Sequence, residues 1–173
     1  FGESSGVSGI TKKLIEKVYM FNGKTDKINR APSSQDKLIY TTNYIARTVG
    51  CAFAENPSAT LENYDVEKCS QALAKCLNQF FSECNQTRYI SETKIEKLTL
   101  EEVNTFKKEC LLGVSVGVEI LGRLFYYAQD GGSHYFDNKK ISQLSKLDWS
   151  RENSLWHNNV IRINTKLKNP SKT

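Results

Sequence analysis

The 173-residue chain lacks any apolar run approaching the roughly 18–20 residues that a membrane-spanning helix needs, so no spanning segment is expected. It has three prolines and ten glycines, too few for a fibrous or low-complexity chain. Histidine is scarce, with two copies, and no Cys-x-x-Cys pair occurs, so a structural zinc site is not expected. There is no His-Glu-x-x-His, no phosphate-binding Gly-x-x-x-x-Gly-Lys and no Gly-x-Ser-x-Gly elbow. These absences remove the commonest zinc, nucleotide-phosphate and serine-nucleophile chemistries. The chain leans away from an enzyme, with no catalytic residues, no metal and no cofactor expected.

What is present suits a globular domain. Hydrophobic residues make up 39% and charged residues 25%, which is too apolar for wholesale disorder. The length predicts one domain with a sizeable core. The first residue is Phe1 rather than Met, which reads as a fragment or a processed chain. The five cysteines, Cys51, Cys69, Cys76, Cys84 and Cys110, are odd in number and fit no disulfide framework, so a cytoplasmic setting is expected. Cys69, Cys76 and Cys84 recur near one helix face and read as small core hydrophobes. Asn85-Gln86-Thr87 matches a glycosylation sequon that has meaning only in a secreted protein.

Charge is uneven along the chain, which carries +5 overall. Residues 1–30 hold six bases and three acids, residues 31–138 ten bases and fourteen acids, and residues 139–173 eight bases and two acids. Basic ends therefore flank an acidic middle. Such ends can bind polyanions through counterion release, or can be solvated termini. The DNA-contact candidates are Lys24, Lys27, Arg30, Lys139, Lys140, Arg151, Arg162, Lys166 and Lys168.

Periodicity predicts a mainly α single helical domain of four to six helices, with a short strand pair as an option. Residues 1–9 read as a flexible N-terminal segment and 10–173 as the helical domain with a basic C-terminal segment. Ile10 to Phe21 reads as a helix broken by Asn22-Gly23. Pro32-Ser33-Ser34 reads as the start of the next, which Asn56-Pro57 stops. Asp65 is the expected N-cap of a strongly amphipathic helix reaching Cys84. Thr87 to Ser91 reads as a short strand or extended linker. Thr99 and Glu102 form an expected capping box, followed by one apolar face of almost thirty residues. Gly113, Gly117 and Gly122 lie within it and suggest close approach of another backbone. A phosphate loop there would need a lysine and a preceding strand, and neither is present. Asp130-Gly131-Gly132 ends this helix, and Ile141, Leu144 and Leu147 suggest a short one after it.

Two constellations carry the remaining chemistry. Asp130, His134 and Asp137 share a short glycine-containing stretch, conceivable as a cation or general-base cluster or as a plain polar loop. Trp149 and Trp156, with Arg151 between them, read as a core edge or as a stacking surface.

The stretch Lys146 to Ile161, containing Leu147, Asp148, Trp149, Ser150, Arg151, Asn153 and Trp156, resembles the C-terminal signature of the DGQHR-domain family, which includes the DNA sulfur-modification protein DndB. Met20-Phe21 through Asp26, Ile28-Asn29 and Pro32-Ser33 is similar to that family's Phe-x-Asp-x-Asn…Pro-Ser segment. The family signature falls on Asp148, Trp149, Ser150, Arg151 and Trp156. The DGQHR motif itself is absent, so no catalytic or nucleotide-sensing residue is carried over. The resemblance implies the helical C-terminal part of a longer protein. It also implies a DNA-associated regulatory or accessory protein of a bacterial DNA-modification (phosphorothioation-type) or phage-defence system, binding DNA through its basic ends. The alternative is a helical protein–protein interaction domain of a larger defence complex, without direct DNA contact. Expected partners are DNA and other proteins of the same system, with no membrane and with homo-oligomerisation left open.

Overall fold

The computed structural model describes residues 5–131 and 134–157. The elements run α1 (Gly6–Lys17), β1 (Thr25–Asp26), β2 (Tyr40–Thr41), α2 (Thr42–Ala54), α3 (Val66–Glu83), α4 (Arg88–Glu92), α5 (Leu100–Glu109), α6 (Ser115–Tyr127), α7 (Asn138–Ser145) and α8 (Ser154–Trp156). Short 3-10 turns occupy Ile95–Lys97 and Leu111–Gly113. The fold is mainly helical, as the periodicity predicts, and six of the described helices have eight residues or more. β1 and β2 form one parallel pair, Thr25 opposite Tyr40 and Asp26 opposite Thr41.

Helix α2 packs along α6, and α1 along both α2 and α3. The α2–α6 approach depends on Gly122, where a Cβ would stand 2.6 Å from the Thr48 carbonyl oxygen. That is the backbone contact suggested by a helical glycine whose substitution by alanine would otherwise favour the helix. Around this contact Phe80 meets Phe81, Phe125 and Trp149 edge-on, at centroid separations of 5.4, 6.0 and 5.7 Å. These rings, with Phe21, Tyr40, Leu112 and Val49, fill one continuous core.

Caps explain several boundaries. Asp65 accepts from the Lys68 amide and starts α3, and Thr99 and Glu102 close the reciprocal capping box of α5. Glu55 takes a left-handed conformation at φ 52° and ends α2 just before Asn56-Pro57. Other boundaries depart from expectation. α1 begins at Gly6 with Ser5 as its cap and ends at Lys17, so the helix reaches back into the stretch read as a flexible start. Gly6 is required there, because a Cβ would fall 1.9 Å from the Leu61 carbonyl oxygen. Pro32-Ser33-Ser34 starts no helix. Ser33 instead accepts from the Gln35 amide in a local turn, and Thr41 caps α2. Residues 88–92 are helical, because Arg88 turns back to donate to the Ser82 and Glu83 carbonyls that α3 leaves open at its end.

The long apolar face after Thr99 is not one helix. It breaks at Cys110, where the backbone leaves α5 to pair antiparallel with Ser150. The Leu111 amide donates to the Trp149 carbonyl at 2.8 Å, and the Arg151 amide to the Glu109 carbonyl at 2.8 Å. Gly117 then fits under the Leu111 carbonyl, 1.7 Å from where its Cβ would be.

All five cysteines are free and buried. Burial pushes the thiols of Cys51 and Cys76 up to about 11 and that of Cys110 up to about 12. The reactive thiolate is therefore scarce at neutral pH. A disulfide-exchange reagent at pH 7.5 is expected to titrate essentially none of the five in the folded protein and all five in denaturant. Rapid labelling of even two folded-state thiols would contradict this packing.

Candidate functional site

Among the described residues, the signature stretch after α7 is a tightly hydrogen-bonded turn. Asp148 is its hub. Its Oδ1 accepts from the Ser150 amide at 2.9 Å and from Gln86 Nε2 at 3.3 Å. Its carbonyl accepts from Asn153 Nδ2 at 2.7 Å and from Trp156 Nε1 at 2.8 Å. Trp149 is fully buried, donates Nε1–H to the Leu144 carbonyl at 3.0 Å and stacks on Trp156 at 4.7 Å. Both indole N–H groups are thus satisfied by backbone, and their rings face the core. The core-edge reading of the tryptophans holds, since both rings are buried.

Arg151 belongs to the same turn. Its Nη2 donates to the Lys107 carbonyl at 2.7 Å, while Nε is buried with no partner among the described residues. Burial lowers its tendency to hold its proton. The half-buried guanidinium therefore braces the end of α5.

Lys24 is also removed from the surface. It is 2% exposed, and its Nζ donates to the Tyr19 carbonyl at 2.9 Å. Desolvation lowers its pKa to about 8, with the charge of Glu96 opposing. An unfolded lysine titrates near 10.4, so above pH 8 the unfolded chain binds more protons than the folded one. Taken alone, this group raises stability as pH goes from about 8 to 10, whereas the buried thiols, held up in the fold, lower it over the same range. Urea titrations across that range should therefore show stability falling in both proteins, and falling more steeply in Lys24→Met than in the wild type. An equal fall in both would show that Lys24 contributes nothing to the pH dependence.

Lys27 and Arg30 do lie exposed, on the loop after β1. Asp26 organises that loop: its Oδ1 accepts from the amides of Ile28 and Asn29, each at 2.9 Å, and Oδ2 accepts from Asn29 Nδ2 at 2.9 Å. These bonds hold its carboxyl below the usual range. The similar Asp…Asn pair in the sequence is thus a turn-forming pair. The loop leans on the 3-10 turn Ile95–Lys97, since Lys37 Nζ donates to the Ile95 and Leu98 carbonyls at 2.7 and 2.9 Å. Exposed Lys94 and Lys97 accompany that turn and were not singled out from sequence, because they sit in the acidic middle of the chain.

Lys139 and Lys140 are exposed on the first turn of α7. Asp137 caps that turn, accepting from their amides at 2.8 and 3.4 Å. α7 rests on α3 through Gln79, which donates to the Asn138 carbonyl at 3.1 Å and to Ser142 Oγ at 2.9 Å. Arg162, Lys166 and Lys168 lie outside the described residues.

Asp130, His134 and Asp137 do not converge on a cation. Among the described residues no group of three or more His, Cys, Asp or Glu is placed to hold a metal. Asp137 is the cap of α7, and the His134 ring stacks on Tyr64 at 4.6 Å.

One groove borders the signature turn. It has a volume of about 440 Å³ and lies between α4, α5 and Ser150. Ile90, Phe106 and Cys110 form its floor, with Tyr89, Glu101, Glu102 and Glu109 around it. Glu102 is held by Tyr89 and by the Thr99 amide.

A helical domain closed by an Asp-Trp-Ser-Arg turn, with aspartate-capped loops presenting lysine and arginine, is the class these observations define. The DndB family, described as DNA-sulfur modification-associated, matches the chain over residues 1–173. The chain belongs to that family and hence to the proteins associated with DNA sulfur modification. No curated protein and no solved structure matches it. Among the described residues no helix is long and apolar enough to cross a membrane.

Proposed function

We propose that this chain is a DNA-associated regulatory or accessory component of a bacterial DNA-modification or phage-defence system, and that it contacts the DNA backbone directly. One observation carries the reading. Two separate turns each pair an aspartate, committed to backbone amides, with two exposed cations: Asp26 with Lys27 and Arg30, and Asp137 with Lys139 and Lys140. An aspartate that accepts amide hydrogens fixes the backbone from which the cations project. Such cations bind phosphate without reading base sequence. The basic residues 158–173 add to the same charge.

Fluorescence anisotropy with a labelled DNA duplex tests this. Binding is expected at about 50 mM salt and should weaken steeply towards about 200 mM. An absence of binding at the lower salt would contradict it.

The acidic groove favours a second reading, a protein-interaction domain within the same system. Its glutamates repel phosphate, and its apolar floor suits a polypeptide. On that reading the groove, and not the cationic turns, carries the function.

A further inference from the structure

Among the described residues, the large hydrophobic side chain most open to water is Ile28, at 92% exposure. It lies on the loop after β1, where Lys27, Ile28, Asn29, Arg30 and Ala31 are all exposed. A single surface hydrophobe normally needs no explanation. Three observations set this one apart.

The backbone beneath it is fixed. The amides of Ile28 and Asn29 both donate to Asp26 Oδ1, and Asn29 Nδ2 donates to Oδ2. Asp26 is itself buried on β1, opposite Thr41. The side chain is also stiff, because a β-branched residue has few rotamers to lose when it is gripped. Cations flank it on both sides, Lys27 before and Arg30 after, with no acid in residues 27–35. Neither cation makes an ion pair among the described residues. An apolar tip held out between two free cations matches a partner with negative charge outside and apolar layers within. Duplex DNA has that arrangement, phosphates outside and stacked bases inside. An anionic lipid surface shares it in outline, but the family's association with DNA modification favours DNA.

We infer that Ile28 is a wedge: with Lys27 and Arg30 on the phosphates, its side chain enters the minor groove, parts two stacked base pairs and kinks the duplex. The inference rests on the DNA reading above and goes further, because phosphate contact alone leaves the stack intact. Apolar wedges beside Lys, Arg and Asn unstack base steps in this way and bend the duplex by roughly 20–90°. Pyrimidine–purine steps yield most easily, so the wedge favours TpA steps without any hydrogen bond to a base.

The test uses the full chain and a short duplex of alternating T and A, with 2-aminopurine replacing adenine at its central steps. Anisotropy of a dye on the duplex end reports binding and sets a saturating protein concentration. 2-Aminopurine brightens when it leaves the stack. At saturation and low salt, the wild type is expected to at least double its emission. Ile28→Ala should lose most of that rise, and Ile28→Phe, which keeps an apolar wedge, should retain it. The Ile28 side chain packs against almost nothing, so both variants should unfold in urea at the wild-type midpoint. Saturated wild-type binding without a rise, or an equal rise with Ile28→Ala, would overturn the wedge and leave the DNA reading standing. An absence of binding at low salt would overturn both. Flotation with phosphatidylcholine–phosphatidylserine vesicles is the last arm. A wild type that binds these vesicles but not the duplex, and loses them in Ile28→Ala, would overturn the wedge and make the tip a lipid contact.

Discussion

Replacing Trp149 with alanine is expected to lower the unfolding free energy by about 3–5 kcal/mol, the range for deleting a large buried aromatic. The side chain is fully buried, packs edge-on to Phe80 and stacks on Trp156, and its N–H is matched to a carbonyl. Its loss opens a cavity where α3, α7 and the signature turn meet. It also weakens the pairing of the turn with Cys110 and Leu111, on which the break between α5 and α6 depends. Urea unfolding followed by circular dichroism measures the change, with Trp149→Phe expected to lose less because an aromatic ring is retained. A loss under about 1 kcal/mol for the alanine variant would show that this turn does not hold the domain together.

The amphipathic helices were legible because their burial is one-sided. Val66 to Phe81 keeps a helical period, and its cap, Asp65, is a local signal. Gly122 was legible as a close approach, since a glycine inside an apolar helix needs a reason. The break at Cys110 was hidden, because its cause is a pairing with Ser150 forty residues later. No periodicity in residues 100–127 encodes a partner that far along the chain. Residues 88–92 misled for a similar reason: Tyr89 and Ile90 favour strand, but Arg88 completes the end of α3 and turns the backbone.

The candidate site divides along the same line. Sequence marked the Asp-Trp-Ser-Arg stretch as distinctive, and its distinctiveness proves to be architectural: Asp148 organises the turn, Trp149 fills the core and Arg151 braces α5. Net charge marked Lys24 together with Lys27 and Arg30, but charge counting cannot tell a buried ammonium from an exposed one. The fold separates them by placing Lys24 against the Tyr19 carbonyl while Asp26 turns the following loop outward. The groove left no signal in sequence, because its floor and rim come from α4, α5 and a turn near residue 150.

Direct DNA contact through the two aspartate-capped turns is the central claim, and its largest expected effect is in the quadruple variant Lys27→Gln, Arg30→Gln, Lys139→Gln, Lys140→Gln. All four side chains are exposed, and the amides that hold their turns are unchanged by the substitutions. The fold should therefore survive. The decisive measurement is anisotropy of labelled duplexes of two unrelated sequences, titrated at several salt concentrations with the wild type and this variant. Affinity is expected to fall roughly 10–100-fold at low salt for both sequences. The log–log salt slope should become shallower by about 4, one unit for each phosphate contact removed. A variant that binds as tightly as the wild type, with the same slope, would contradict the account and leave the acidic groove as the functional surface.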